Sequence, residues 1–142
     1  VAEDRYGLAP LRELREQRET VRRGNLATAV GDAHVSAAAV AAASARTEHA
    51  RAAVGAALKA SEALRTAGQR AAADAFIARR RHELERARDE QLRTELAHDQ
   101  RTAEVDAARA QLARARADRQ LVERHFEKWR ADQRKAAERK AD

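Results

Sequence analysis

The amino-acid sequence predicts an all-α fold, a long two-helix antiparallel coiled-coil hairpin. Three observations carry that expectation. The 142 residues are 37% charged and only 3% aromatic, with Ala, Arg, Glu and Leu dominant, a composition typical of coiled coils and long helices. Apolar residues return at steps of three and four in both halves of the chain, as a coiled-coil seam requires. Helix breakers are scarce, and the one glycine close to the middle is Gly68. A globule needs bulky side chains to fill a centre several layers deep, whereas Ala, Val and Leu suffice to close a contact between two helices.

The first helix is expected over about residues 10–67. Pro10, the single proline, suits a first helical turn because its fixed φ is already helical and its missing N–H is no loss there. Gly24, Gly31 and Gly55 each cost a helix interior about 1 kcal/mol relative to alanine, but the apolar repeat continues across them. The expected seam is Val30, Ala33, Ala37, Val40, Ser44, Thr47, Val54 and Leu58, with Arg51 at the missing step. An exposed alanine-rich helix, held by propensity alone, is the competing interpretation of this stretch.

The turn is expected at about residues 68–72, where RTAGQRAA offers a glycine of the kind that ends helices in a left-handed conformation. The second helix then covers about residues 73–140. Its seam is Val105, Ala108, Leu112, Ala115, Val122, Phe126, Trp129, Gln133 and Ala136, with Arg119 as the polar exception. Leu84, Leu92 and Leu96 stand at multiples of four, so the seam is expected to drift there. In this register Val54 faces Leu84, Val30 faces Ala108, and Leu14 and Leu11 face Phe126 and Trp129. The alternative architecture is an uninterrupted helix that dimerises.

Several function classes are disfavoured. Without cysteine there is no disulfide and no thiolate site, which is compatible with a reducing cytosol. No stretch is expected to supply the roughly 20 apolar residues that span a bilayer, so a soluble, cytoplasmic chain is expected, without direct membrane insertion. The net charge of +6 would attract acidic partners, but acidic residues interleave with the basic ones. Arg79, Arg80 and Arg81 form an unbroken basic triplet, yet adjacent residues on a helix point to different faces, and nucleic acid is not an expected partner. The five histidines lie far apart, none with another at the i+4 spacing that lets helical residues share a metal. Neither a phosphate-cradling glycine loop nor a nucleophile elbow is present. The chain is therefore not expected to be an enzyme, and no catalytic residue, cofactor or metal is assigned.

Function must then lie in what the hairpin touches, and two places carry more apolar surface than a hairpin needs. One is the terminal end, with Tyr6, Leu8, Leu11, Leu14, Leu121, Val122, Phe126 and Trp129; here HFEKWRADQRK concentrates two of the four aromatic residues within a run of charge. The other is Phe76 with Ile77, just past the expected turn. Adjacent helical residues cannot share one seam, so at least one of the two should be exposed or pack over the turn.

The opening YGLAPLRELREQRE, an aromatic and a few leucines leading into an Arg- and Glu-rich helix, and the ending ARAQLARARADRQLVERHFEKWRADQRKAAERK, a bulky apolar cluster before a charged tail, resemble the two ends of the FliJ and YscO (SctO) family. These are the central stalk proteins of flagellar and virulence type III secretion. The resemblance implies a hairpin whose terminal end enters the pore of a hexameric secretion ATPase. Its opposite tip would reach toward the cytoplasmic ring of the export gate, and secretion chaperones would be further partners. It implies a protein that is a monomer when free and is held at the inner membrane only through the secretion complex. By position, Leu11, Leu14, Phe126 and Trp129 would belong to the ATPase end, with Arg124, Lys128 and Arg130 meeting acidic pore loops. Phe76, Ile77, Arg79 and Arg80 would lie near the gate-facing tip. The flagellar and virulence branches both remain open, as does a dimeric scaffolding coiled coil unrelated to secretion.

Overall fold

The computed structural model describes residues 5–142. Among the described residues there are two helices and no strand: α1 (Ala9–Ser61) and α2 (Ala67–Ala141), packed against each other as a helical hairpin. The entry to α1 is fixed by backbone bonds, with the Ala9 N–H donating to the Tyr6 carbonyl at 3.1 Å and the Arg12 N–H to the Leu8 carbonyl at 2.9 Å. Pro10 falls in the first turn, where its missing donor is harmless. Gly24, Gly31 and Gly55 lie inside α1 without a break.

The chain reverses at residues 62–66, earlier than the expected 68–72, and Gly68 is the second residue of α2. The cause is a capping box. The Thr66 hydroxyl accepts from the Gln69 N–H at 3.1 Å, and the Gln69 side-chain oxygen accepts from the Thr66 N–H at 3.4 Å. Thr66 therefore starts a helix at the point where Gly68 was expected to end one. No glycine among the described residues has positive φ, so the left-handed termination is not used. The last turn of α1 instead tightens to three-residue bonds, Glu62 N–H to the Lys59 carbonyl at 3.3 Å and Leu64 N–H to the Ser61 carbonyl at 3.2 Å, a common way to satisfy terminal carbonyls.

The helices share two compact units, one of residues 31–103 and one that combines the chain through Val30 with the chain from Glu104. In the 31–103 unit, Ser36 Oγ lies 2.7 Å from His98 Nδ1, and the Thr47 hydroxyl donates to the Ala87 carbonyl at 3.2 Å. Moving the turn toward the N-terminus has shifted the partners accordingly. Thr47 meets Ala87, whereas the expected pairing of Val54 with Leu84 would set it four residues further along α2. Ala33, Ser36, Val40, Ala43, Thr47, Ala50, Val54 and Ala57 are the buried or half-buried residues of the seam on α1. Ala33, Val40, Thr47 and Val54 are as expected, and Ser44 is half-buried as expected too. The second column differs: Ser36, Ala43, Ala50 and Ala57 turn inward, while Ala37, Arg51 and Leu58 are exposed. Ala43 is only 1% exposed, and side chains this small let the backbones approach where Arg51 and Leu58 would hold them apart.

The α2 seam does not drift. Ile77, Leu84, Ala87, Gln91, Thr94 and His98 are buried or half-buried at steps of three and four, or their sum, while Leu92 and Leu96 face outward at 59% and 68% exposure. The seam is polar where a count of apolar residues loses it. In the other unit, Val30, Val105, Ala108, Leu112, Ala115 and Val122 are inward as expected, whereas Gln133 and Ala136 are exposed. There Arg22 donates to the Gln111 side chain at 2.7 Å and Arg15 to Asp118 at 3.1 Å, again offset from the expected pairing of Val30 with Ala108.

One further expectation fails: α1 contains a window long and apolar enough to cross a membrane by length and composition, with 6% of it buried. Its hydropathy comes from alanine together with Leu26, Val30, Val35 and Val40, and alanine also fits a helix facing water.

Two substitutions separate the capping box from the glycine stop. Thr66→Ala should lower stability by about 1 kcal/mol through loss of the cap. Gly68→Ala, at a position where an added Cβ meets nothing within 4 Å, should raise stability by about 0.5–1 kcal/mol because alanine is the better helix former. Urea denaturation followed by circular dichroism reads both; destabilisation by Gly68→Ala would restore the left-handed stop.

Candidate functional site

At the terminal end the aromatic side chains gather on Tyr6, which is 8% exposed. Its ring lies 5.0 Å from that of Phe126 in an edge-on arrangement and 5.3 Å from that of Trp129, and Phe126 and Trp129 stack at 5.9 Å. The Tyr6 hydroxyl lies 2.7 Å from Nδ1 of His125. The polar end of a buried tyrosine is thus satisfied while its ring supplies apolar contact. Phe126 and Trp129 stand three apart on α2, so one helix face presents both, and the segment before α1 delivers Tyr6 to them.

Arg12 sits over the Phe126 ring, 4.0 Å from its centroid, and donates to Glu123 from Nε at 3.0 Å and from Nη2 at 2.9 Å. The bond to Glu123 raises the Arg12 pKa above its ordinary value. This cation takes the place expected for Leu14, which is exposed along an open groove with Val21, Gln111 and Ala115. Leu11 is half-buried.

Further along the same unit, the Glu19 side chain is 7% exposed and accepts from Arg23 at 3.1 Å and from Arg119, with Arg116 at 3.7 Å. Arg119, the polar exception of the predicted seam, is therefore held by a carboxylate from the facing helix. A buried carboxylate is tolerated when it is paired and hydrogen-bonded. Glu19 continues the three-four spacing of Arg12 and Arg15, the signal that could have identified it. Arg124 and Lys128 are exposed and make no ion pair among the described residues. Arg130 is exposed as well, with its guanidinium 5.7 Å from the Phe126 centroid.

Near the turn, Ile77 is buried and Phe76 is 40% exposed, which resolves the adjacent pair as helix geometry demands. Arg80 and Arg79 lie 4.8 and 5.8 Å from the centroid of the Phe76 ring. Arg80 also pairs with Glu83 at 2.8 Å. The result is a surface aromatic edged by cations. Among the described residues no group of three His, Asp or Glu side chains could hold a metal ion.

No protein-family model, curated protein or solved structure matches the chain.

The aromatic cluster should contribute to stability rather than stand apart from it. Trp129→Ala is expected to cost about 3 kcal/mol or less, the lower end for an aromatic truncation because the ring is only half-buried. Tyr6→Phe should cost about 1 kcal/mol through the lost bond to His125. Thermal denaturation measures both, and unchanged melting of the Trp129→Ala variant would remove the cluster from the fold and leave it as surface.

Proposed function

We propose that the protein is a non-catalytic coupling stalk of a type III secretion system. In this role it engages the hexameric export ATPase through its terminal end and the cytoplasmic ring of the export gate through its tip, with secretion chaperones as further partners. The observation that carries the proposal is the terminal end itself. Tyr6, Phe126 and Trp129 hold the segment before α1 against α2, while Arg124, Lys128 and Arg130 stay at the surface. A clamped, basic end is suited to entering a ring lined by acidic loops. Its helices present different residues around their circumference, so an inserted hairpin makes unequal contacts with the subunits of a ring. Unequal contacts can bias which subunit binds or hydrolyses nucleotide, because a ligand shifts a conformational equilibrium only through differential affinity. At the tip, Phe76 with Arg79 and Arg80 beside its ring supplies the apolar anchor and charge for a second partner, the residue types enriched where interfaces bind most strongly.

The proposal is tested with the purified ATPase of the same system. Added protein should promote hexamer formation and ATP turnover. Arg124→Glu combined with Lys128→Glu should abolish that stimulation with helicity unchanged, since neither residue packs in the hairpin. Absence of both binding and any change in turnover would sink it.

A further inference from the structure

Outside the contact with α2, α1 carries a second repeat of threes and fours. Within the 31–103 unit it runs Gly31, Val35, Ala38, Ala42, Ala45 and His49, all exposed. Val35, at 72%, is the most exposed large apolar side chain among the described residues. None of the six carries a formal charge, in a chain that is 37% charged. The hairpin does not account for this face. A Cβ added at Gly31 would meet nothing within 4 Å, so packing against α2 does not require glycine there, and a helix-interior glycine costs about 1 kcal/mol relative to alanine.

We propose that this face binds a second copy of the chain, with the two α1 helices antiparallel about a two-fold axis beside residue 40. Laid antiparallel on itself so that Ala38 meets Ala42, the helix brings Val35 against Ala45 and Gly31 against His49. Each larger side chain then meets a smaller one, and the imidazole meets the residue without a side chain. The flanks agree with the seam. Equivalent flanking positions face each other across an isologous contact, which sets Asp32 opposite Arg46 on one side and His34 opposite Glu48 on the other. At the axis Ala39 and Ala41 each meet their own copy. A parallel pairing in register would instead face His34 with Ala39 and Ala41 with Arg46, so it matches no opposite charges. Asp32, Arg46 and Glu48 are exposed, and Arg46 makes no ion pair among the described residues. Within the chain Asp32 already pairs with Arg101 at 3.9 Å and Glu48 with Arg51, so what a second copy adds is a carboxylate, Asp32, opposite Arg46. The contact from Gly31 to His49 runs for roughly 27 Å of helix at the standard rise. It uses neither the terminal end nor Phe76, so it stands or falls apart from the export role.

The chain has no cysteine, which makes cross-linking selective. Under mild oxidation of the full chain, Ala41→Cys should form a disulfide-linked dimer, and Ala56→Cys, further along α1 from the axis, should not. Sedimentation equilibrium should show a concentration-dependent mass rising toward twice 15.7 kDa. Arg46→Asp should weaken dimerisation by about tenfold through like-charge apposition, and adding Asp32→Arg should recover most of it. Three outcomes would overturn the proposal: one 15.7 kDa species at every concentration, cross-linking of Ala56→Cys as fast as Ala41→Cys, or a chain that stays monomeric while co-floating with phosphatidylcholine vesicles.

Discussion

An alanine seam closes tightly but chooses its register poorly, and that constraint shapes the rest of the hairpin. A slip of one heptad would exchange one set of small side chains for another with little change in buried area. Polar partners must therefore select the alignment, as single polar seam residues do in coiled coils. Ser36 with His98 and the Thr47 hydroxyl on the Ala87 carbonyl do so in the 31–103 unit. A slip would leave both hydroxyls on their own-helix carbonyls, Ser36 on Ala33 and Thr47 on Ala43, but would strip Nδ1 of His98 of its partner, and an unmet buried donor or acceptor costs about 1–3 kcal/mol. Such a penalty is large beside the area difference that alanine offers.

In the other unit charge takes over this task. Glu19 lies among Arg23, Arg116 and Arg119, and Arg12 and Arg15 reach Glu123 and Asp118. The arginines are partly exposed, so each pair contributes modestly to stability, about 1 kcal/mol or less. Their geometric demand is the larger effect, because a planar guanidinium accepts few arrangements. Register selection by charge also leaves the aromatic residues for the open end, where Tyr6, Phe126 and Trp129 bridge a strandless entry segment to α2. Stability and a candidate contact surface thus share residues there, which is why substitutions at this end need a stability readout alongside any binding assay.

The two helices were legible because composition and breakers speak directly to helix formation. Where they meet was not. Gly68 drew attention as a breaker, yet Thr66 and Gln69, in the spacing of a capping box, held the stronger local signal. That displacement moved every facing pair. The α1 seam wrongly included Leu58 and missed Ala43 and Ala57, because Val and Leu outweigh Ala in any apolar count although a close contact favours the smaller side chains. The supposed drift of α2 had the same origin: Leu92 and Leu96 are apolar but exposed, and Gln91, Thr94 and His98 are polar but inward. At the terminal end the aromatic cluster was visible as composition, whereas Arg12 in place of Leu14 over Phe126 required the register.

The shallow interior has a thermodynamic corollary. Among the described residues, the most sheltered apolar side chain apart from alanine is Leu112 at 4% exposure, and no bulky side chain is fully buried. Unfolding such a structure newly wets little apolar surface for each residue released. The heat-capacity increment follows that surface, since apolar hydration raises it and polar hydration lowers it. Stability therefore varies with temperature along a flatter curve than in a globular domain of the same length, with weak losses on cooling and a gradual decline on warming.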